Sequence, residues 1–285
     1  MQPSDQDAED IQLFLEAVYT RYGYDLRGYA PTSMRRRVRN ALARSGLNAI
    51  GDLRRRILQE PAFFAQVLEN LTVRVSDMFR DPTFYRTFRG LVVPLLRTYP
   101  LLNIWHAGCA TGEEVYSVAI LLAEEGLSER TQIYATDLSP GALINAKEGV
   151  YPQTRLPRFD ENYRAAGGVG SFSSYCTGAY ERIVMRESLR RNVLFFQHDL
   201  VTDQAFGEMH VIFCRNVLIY FNPTLRQRVL QKFAESVYPG GFLCLGSAER
   251  LPRTNSHQFA SFVSEEHIYQ HRPFLQNPPP QDTTA

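Results

Sequence analysis

From residue 101 onward, apolar runs of strand length alternate with amphipathic helical stretches, and that alternation leaves few architectures open. Leu102–Ala107 reads as a buried strand, Glu113–Glu125 as a helix and Thr131–Thr136 as a second strand, after which Ser139-Pro140 caps a short helix stopping at Gly149. Val193–His198 and Met209–Cys214 read as further strands. Asn222-Pro223 starts a helix reaching Tyr238, Pro239-Gly240-Gly241 breaks it, Phe242–Gly246 is a strand, and Phe259–Val263 with His267–His271 suits a closing antiparallel hairpin. Strands separated by helices predict an α/β fold: a mostly parallel, doubly wound sheet whose ligand lies beyond the strand carboxyl ends. Residues 167–192 interrupt the pattern, first with Gly167, Gly168, Gly170 and Gly178, then with alternation through Tyr180–Met185. They predict a small inserted β-subdomain.

Upstream, from about residue 10 to 75, the period is helical throughout. Ile11, Phe14, Leu15 and Val18 share one face of a first helix. Ser33 is placed to cap a second, with Met34, Val38, Ala41 and Leu42 on its apolar face and Gly46 as its stop. Arg35, Arg36 and Arg39 then project opposite that face, with Arg37 and Arg44 on its flank. Helices over Gly51–Gln59 and Phe63–Leu71 complete an all-α domain. Asp81-Pro82, an N-cap followed by proline at the first helical position, starts a linker helix over 76–100 that runs to about Tyr99. The division is therefore 10–75, 76–100 and 101–273, with a Pro-rich tail over 274–285 expected to be disordered.

Charge is distributed unevenly behind a formal net of +1. Residues 1–20 hold five acids and no Lys or Arg, whereas residues 21–60 hold ten arginines against Asp25, Asp52 and Glu60. The cluster predicts an acidic partner for the helical domain. No apolar run approaches the roughly 18 residues of a membrane span, and the acidic start lacks the basic n-region of a secretory signal. Cys109, Cys176, Cys214 and Cys244 form no CxxC pair, so neither a metal site nor a disulfide framework is expected, and a cytoplasmic location fits.

Four segments carry chemistry. The first is Ala107-Gly108-Cys109-Ala110-Thr111-Gly112-Glu113-Glu114, between a strand and a helix. Its glycines let backbone pass close to a ligand, but it is neither a P-loop nor a GxGxxG fingerprint, and its two glutamates would repel a pyrophosphate and attract a cation. The second is Ala135-Thr136-Asp137, where an acid ends a strand at the place from which ribose hydroxyls are bound. Third, Phe213-Cys214-Arg215-Asn216-Val217-Leu218-Ile219-Tyr220-Phe221 delivers Arg, Asn and an aromatic pair to the ligand edge. Fourth comes Leu71-Thr72-Val73-Arg74-Val75-Ser76-Asp77-Met78-Phe79-Arg80-Asp81-Pro82 at the seam between the two parts, to which composition alone assigns no function.

Together and in this order the four segments resemble the CheR-type chemotaxis receptor methyltransferases, over nearly the whole chain. The resemblance implies a Rossmann-like S-adenosylmethionine-dependent methyltransferase sheet with S-adenosylhomocysteine as product. Ser76 and Arg80 would reach the cofactor, Arg80 at its carboxylate. Gly108 and Glu114 would meet it at the first turn, Asp137 would hold the ribose, and Asp199 and Leu200 would flank the adenine. Arg215 and Asn216 would line the pocket, and Tyr220 would stand near methyl transfer, with Arg215 or Tyr220 positioning the acceptor. Studied members carry Asn at Arg74, Thr at Ser76 and Phe at Met78, so Arg74 is left out of the site.

The acceptor implied is a glutamate carboxylate in the cytoplasmic methylation region of chemoreceptors, giving methyl esters. Arg35, Arg36 and Arg39 would dock its acidic coiled coil. Such an acceptor needs no general base, and His106 and His198, each read as lying within a strand, are read as structural. In some relatives the inserted subdomain adds a receptor peptide as an extra strand, which these residues leave open. A monomer without membrane insertion or nucleic-acid binding is expected. The alternatives are a cofactor-binding docking module without turnover, and an N-methyltransferase on another protein or nucleic acid. Against the latter, the Asn/Asp-Pro-Pro-aromatic motif is missing after the fourth strand.

Overall fold

The structure is a computed structural model describing residues 5–73, 76–205 and 207–272. Arg74 and the Pro-rich tail lie outside the described residues.

The chain opens with α1 (Asp5–Tyr22), α2 (Pro31–Ser45), α3 (Ile50–Gln59) and α4 (Pro61–Leu71). Their apolar faces meet in one cluster around Phe14, Val18, Val38, Leu53, Ile57 and Leu71. Gly46 ends α2 in the left-handed conformation expected of a helix stop (φ 70°). Two expectations about α2 fail. The helix begins at Pro31, whose missing N–H costs nothing at the first position, with Ala30 rather than Ser33 as cap. The Ser33 hydroxyl finds no partner among the described residues. Arg37, expected on the flank, is buried in phase with Met34, Val38 and Ala41.

A helical stretch, α5 (Pro82–Thr87), a π turn (Phe88–Val92) and α6 (Val93–Leu96), leads to the sheet and stops short of Tyr99. Asp81 stands at the N-cap position, but its side chain makes no capping bond because its carboxylate is held by Arg215. There follow β1 (Leu102–Ala107), α7 (Glu113–Glu124), β2 (Thr131–Asp137), α8 (Pro140–Glu148), β3 (Val150–Pro152), α9 (Leu156–Ala165), β4 (Cys176–Ala179), β5 (Arg182–Met185), α10 (Glu187–Arg190), β6 (Val193–Gln197), β7 (Met209–Cys214), α11 (Pro223–Ser236), β8 (Val237–Leu245), β9 (Phe259–Val263) and β10 (Ile268–His271).

The main sheet runs β6-β2-β1-β7-β8-β10-β9. Its first five strands are mutually parallel, while β10 is antiparallel to both β8 and β9. Strand order reverses direction between β1 and β7, which opens a crevice at their carboxyl ends. Both faces are covered. On one side Phe84, Phe88, Val115, Tyr116 and Ile120 pack against Ile104 and Phe213. On the other, Val229, Leu230 and Phe233 of α11 meet Trp105 and Ile212. Ser139 caps α8 as expected, accepting from Ala142 N at 3.2 Å.

Three further expectations need correction. Pro239-Gly240-Gly241 does not separate a helix from a strand. The helix ends at Ser236, and the three residues lie inside β8, where a bulge sets Met209 opposite Val237 but Val211 opposite Phe242. The inserted sheet is β3-β5-β4 and starts at Val150, earlier than residue 167, because a three-residue strand is too short to show a period. Its alternation also starts later than Tyr180, which occupies the hairpin turn at φ 53°.

Behind the sheet's ligand edge, the 4%-exposed Glu249 takes three backbone donors: Asn216 N at 2.8 Å, Gly246 N at 2.6 Å and Ile219 N at 3.2 Å. A Cβ on Gly246 would come within 2.7 Å of Asn216 N, so this close packing admits only glycine. Glu249→Ala would leave three backbone N–H groups without their acceptor, one of them in a fully buried bond, and should cost about 3 kcal/mol of unfolding free energy, read from the urea midpoint at unchanged m-value.

Candidate functional site

An open cleft of about 930 Å³, counted to its mouth, lies against the carboxyl ends of β1, β2, β6 and β7. Its floor begins with the β1–α7 turn. Gly108 N and Cys109 N both donate to Thr136 O at 2.8 Å, which bends the chain back over β2. Gly108 adopts φ 88°, and a Cβ there would come within 2.6 Å of Val217 Cγ2. Bare backbone is therefore required where a ligand must lie close. Gly112 (φ 90°) then caps α7, with Ala146 filling the space a side chain would need.

Asp137 ends β2 with its carboxylate tied on both sides, Oδ2 accepting from Ala110 N at 2.8 Å and Oδ1 from Ser139 N at 2.9 Å. Burial still raises its pKa above the ordinary aspartate value. Donors from a vicinal diol in the cleft would compensate that desolvation. After β6, Asp199 accepts from Val201 N at 2.8 Å, and burial raises its pKa too. Leu200 follows as an apolar shelf whose carbonyl is held by Lys232 Nζ at 2.9 Å.

The two glutamates of the first turn separate. Glu113, 1% exposed, turns away from the cleft to Thr111 Oγ1 (2.6 Å) and Arg155 Nη1 (2.7 Å). Glu114 lines the cleft and meets His106 Nδ1 at 3.2 Å and Arg215 Nη1 at 3.0 Å. Burial alone would raise its pKa, but the His106 contact and the Arg215 charge hold it below the usual value. Arg215 is no surface charge: its side chain is 2% exposed. Its terminal nitrogens serve Glu114, Asp81 Oδ2 (2.9 Å) and Arg80 O (3.3 Å), and its plane lies 4.1 Å from the Phe84 ring centroid.

Asn216 and Tyr220 come from the turn after β7, Asn216 in the left-handed region at φ 62°. This turn is joined to the helical domain. Ala30 N donates to Tyr220 O at 2.8 Å, Asn222 N to Gly28 O at 2.9 Å, and Tyr29 bridges to Phe221. From above, Arg37 places its guanidinium carbon 4.4 Å from the Tyr220 ring centroid and donates from Nη1 to Leu71 O at 2.7 Å. Its Nε and Nη2 have no hydrogen-bond partner among the described residues, although the residue is 5% exposed. Ser76, Asp77 and Arg80 close the cleft from the seam.

Ser76, Arg80, Gly108, Glu114, Asp137, Asp199, Leu200, Arg215, Asn216 and Tyr220 thus all border one cleft. Arg35, Arg36 and Arg39 do not: Arg36 and Arg39 are exposed and Arg35 half-buried on α2, and Arg39 pairs with Asp7 at 2.6 Å. Sequence reasoning missed Arg37, Tyr29, Asp77 and His198. The signal for Arg37 was its phase, a charge three residues after Met34 and four before Ala41 on an apolar stripe. His198 was placed inside a strand, but β6 stops at Gln197 and His198 borders the cleft.

Comparison with known proteins accords with this geometry. A family model described as "CheR methyltransferase, SAM binding domain" matches residues 74–268, and one described as "CheR methyltransferase, all-alpha domain" matches residues 9–72. The "Putative methyltransferase Cher3" of Pseudomonas putida is 48% identical, over 91% of this chain and 96% of its own length. The "Chemotaxis protein methyltransferase Cher2" of the same organism is 29% identical, over 95% and 99%. A "Chemotaxis protein methyltransferase" of Listeria monocytogenes is 29% identical, over 85% and 90%. With S-adenosylmethionine as the family's ligand, Gly108→Ala should weaken S-adenosylhomocysteine binding at least about tenfold, since the new methyl meets Val217 and the left-handed backbone is strained. Isothermal calorimetry with circular dichroism would measure the loss in folded protein.

Proposed function

Because the chain belongs to the CheR methyltransferase family and uses S-adenosylmethionine, we propose that it methylates glutamate side chains in the cytoplasmic methylation region of chemoreceptors, forming methyl esters. The observation that carries this reading is Arg37. A buried guanidinium with two nitrogens unpartnered among the described residues, beside the Tyr220 ring, is costly unless an anion completes it. Burial also lowers its pKa. An acceptor carboxylate satisfies that site, whereas an acceptor amine would meet a like charge. The Pseudomonas putida and Listeria monocytogenes relatives are named as chemotaxis protein methyltransferases, which supports a substrate in chemotaxis.

The cleft suits the cofactor part by part. Asp137 takes the ribose hydroxyls, Asp199 and Leu200 flank the adenine, and Gly108 allows close approach of backbone. Ser76 and Arg80 hold the amino-acid end, Arg80 at the carboxylate. Glu114 and Asn216 line the space between. The terminal nitrogens of Arg215 are taken by Glu114, Asp81 and Arg80 O, which leaves Nε as its one nitrogen without a partner among the described residues. Arg215 acts as a positioning residue, and Arg37 with Tyr220 takes the acceptor side.

When bound, S-adenosylmethionine supplies a methyl on a positively charged sulfur, which the acceptor oxygen takes as the C–S electron pair returns to sulfur. Glutamate has a reference pKa of about 4.3 and is already a carboxylate at neutral pH, so these residues need not remove a proton. Their task is alignment, which is worth at most roughly 7–11 kcal/mol in well-oriented intramolecular cases. Arg37 must orient the carboxylate without quenching it, since stabilising the anion more than the transition state would raise the barrier. Its cation–π contact with Tyr220 shares that charge with the ring.

Incubation with methyl-labelled S-adenosylmethionine and chemoreceptor-rich membranes should give base-labile label released as methanol. Base-stable label would instead point to N-methylation. Arg37→Ala should lower kcat/KM for receptor about 100-fold, the loss of one charge-assisted contact, with S-adenosylhomocysteine affinity unchanged. Charge reversal at Arg35, Arg36 and Arg39 should raise the receptor KM several-fold without altering cofactor affinity, and more so at low ionic strength.

A further inference from the structure

The seam segment of residues 76–81 presents Ser76, Asp77 and Arg80 to the cleft, yet its backbone is not one that relaxes there unaided. Phe79 (φ 50°) and Asp81 (φ 58°) both occupy the left-handed region without being glycine. Something outside the segment must hold it, and three elements do. Ser117 of α7 accepts from Phe79 N at 2.8 Å, and Arg215 takes Arg80 O and the Asp81 carboxylate from the cleft side. The densest contacts come from the inserted subdomain. Arg155, in the turn after β3, donates from Nη2 to Ser76 O (2.7 Å) and Asp77 Oδ1 (3.1 Å), and from Nη1 to Glu113 (2.7 Å). Asn162 of α9 donates to Met78 O at 2.9 Å, and Arg158 pairs with Asp77.

We infer that Arg155 is a positioning residue for the cofactor, and that through it the inserted subdomain sets cofactor affinity. One planar guanidinium spans both segments that grip the ligand, the seam through Ser76 and Asp77 and the start of α7 through Glu113. This explains why Glu113 is buried and turned away from the cleft: it anchors Arg155. The subdomain makes a second tie of the same kind, since Tyr151 of β3 donates from its hydroxyl to Thr111 O in the glycine turn at 2.8 Å. Because β3 is an edge strand of the β3-β5-β4 sheet and Arg155 follows three residues after it, a shift of that sheet carries directly to Ser76. Lysine cannot replace this arginine, as a single ammonium cannot span three oxygens on two segments.

The inference rests on the cleft holding S-adenosylmethionine and is independent of the methyl acceptor. The test is calorimetric titration of the full chain with S-adenosylhomocysteine, beside melting curves. Arg155→Ala should raise Kd at least tenfold and raise the KM for S-adenosylmethionine in parallel, with the receptor KM within twofold. Arg155→Lys should fall between it and the native protein. In an Asp77→Asn background the effect of Arg155→Ala should shrink, because the two share one contact. Arg164→Ala, near the end of α9 and ion-paired with Asp160, should leave Kd unchanged. Kd within twofold of native for Arg155→Ala would overturn the inference, and so would a lowered melting temperature with reduced stoichiometry but native Kd. If Arg155→Ala does not fold, native Kd for Arg155→Lys overturns it equally. A native protein that fails to bind S-adenosylhomocysteine would remove the cofactor premise and the inference together.

Discussion

The Arg215 guanidinium is almost wholly removed from water, and it keeps its charge there only because acids from two other parts of the chain come to it. Burial works against that charge, while Glu114 and Asp81 work for it and leave the pKa raised. Removing one partner would strand a buried charge, a far larger penalty than the intact set is worth as a stabilising contact. The set therefore acts as a registry device. The exit of β7, the start of α7 and the seam after the helical domain can assume only one mutual arrangement, and the cleft is the space this arrangement leaves.

Around it the cleft is built by backbone tethers more than by its own side-chain contacts. Glu249 holds the turn after β7 from behind through the N–H groups of Asn216 and Ile219, while Gly28 and Ala30 hold it from the front. The segment after β6 is held by Lys232, which donates to three nearby carbonyls, those of Leu200, Val201 and Asp203. Each tether comes from an element distant in sequence and makes no demand on a ligand. Side chains that line the cleft are thus left with unused hydrogen-bonding capacity, as at Asp137 and Arg37. Pre-placed groups of that kind lower the reorganisation required when a ligand enters.

The helical domain is a wall of the cleft as well as a basic surface. Arg37 and Tyr29 face inward from the same stretch that presents Arg36 and Arg39 outward. A single helix, α2, therefore carries both the exposed arginines and the buried one. One side suits a diffuse acidic surface, where charge is screened and adaptable; the other suits a single carboxylate, where charge is desolvated and specific.

Much of this was legible in the chain itself. The strands β1 and β7 were read to the residue, since buried parallel strands are continuous apolar runs with sharp ends. Ser139-Pro140 and Asn222-Pro223 announced their helices because capping is local chemistry between neighbours. The failures have the same form in reverse. Asp81 looked like a cap and is an ion-pair partner; Glu113 looked like part of a ligand pocket and is an anchor for Arg155; Arg37 looked like a flank residue and is a buried cleft residue. In each case the partner lies tens of residues away, and no local rule can choose among distant partners. Periodicity, caps and glycine turns are properties of short stretches, so the sequence alone determined the parallel sheet, the turns at its edge and the residue types brought there. Which acid faces the ligand, which braces a neighbour and which arginine keeps its donors unspent depended on long-range burial and charge pairing, and those exist only once the chain has folded.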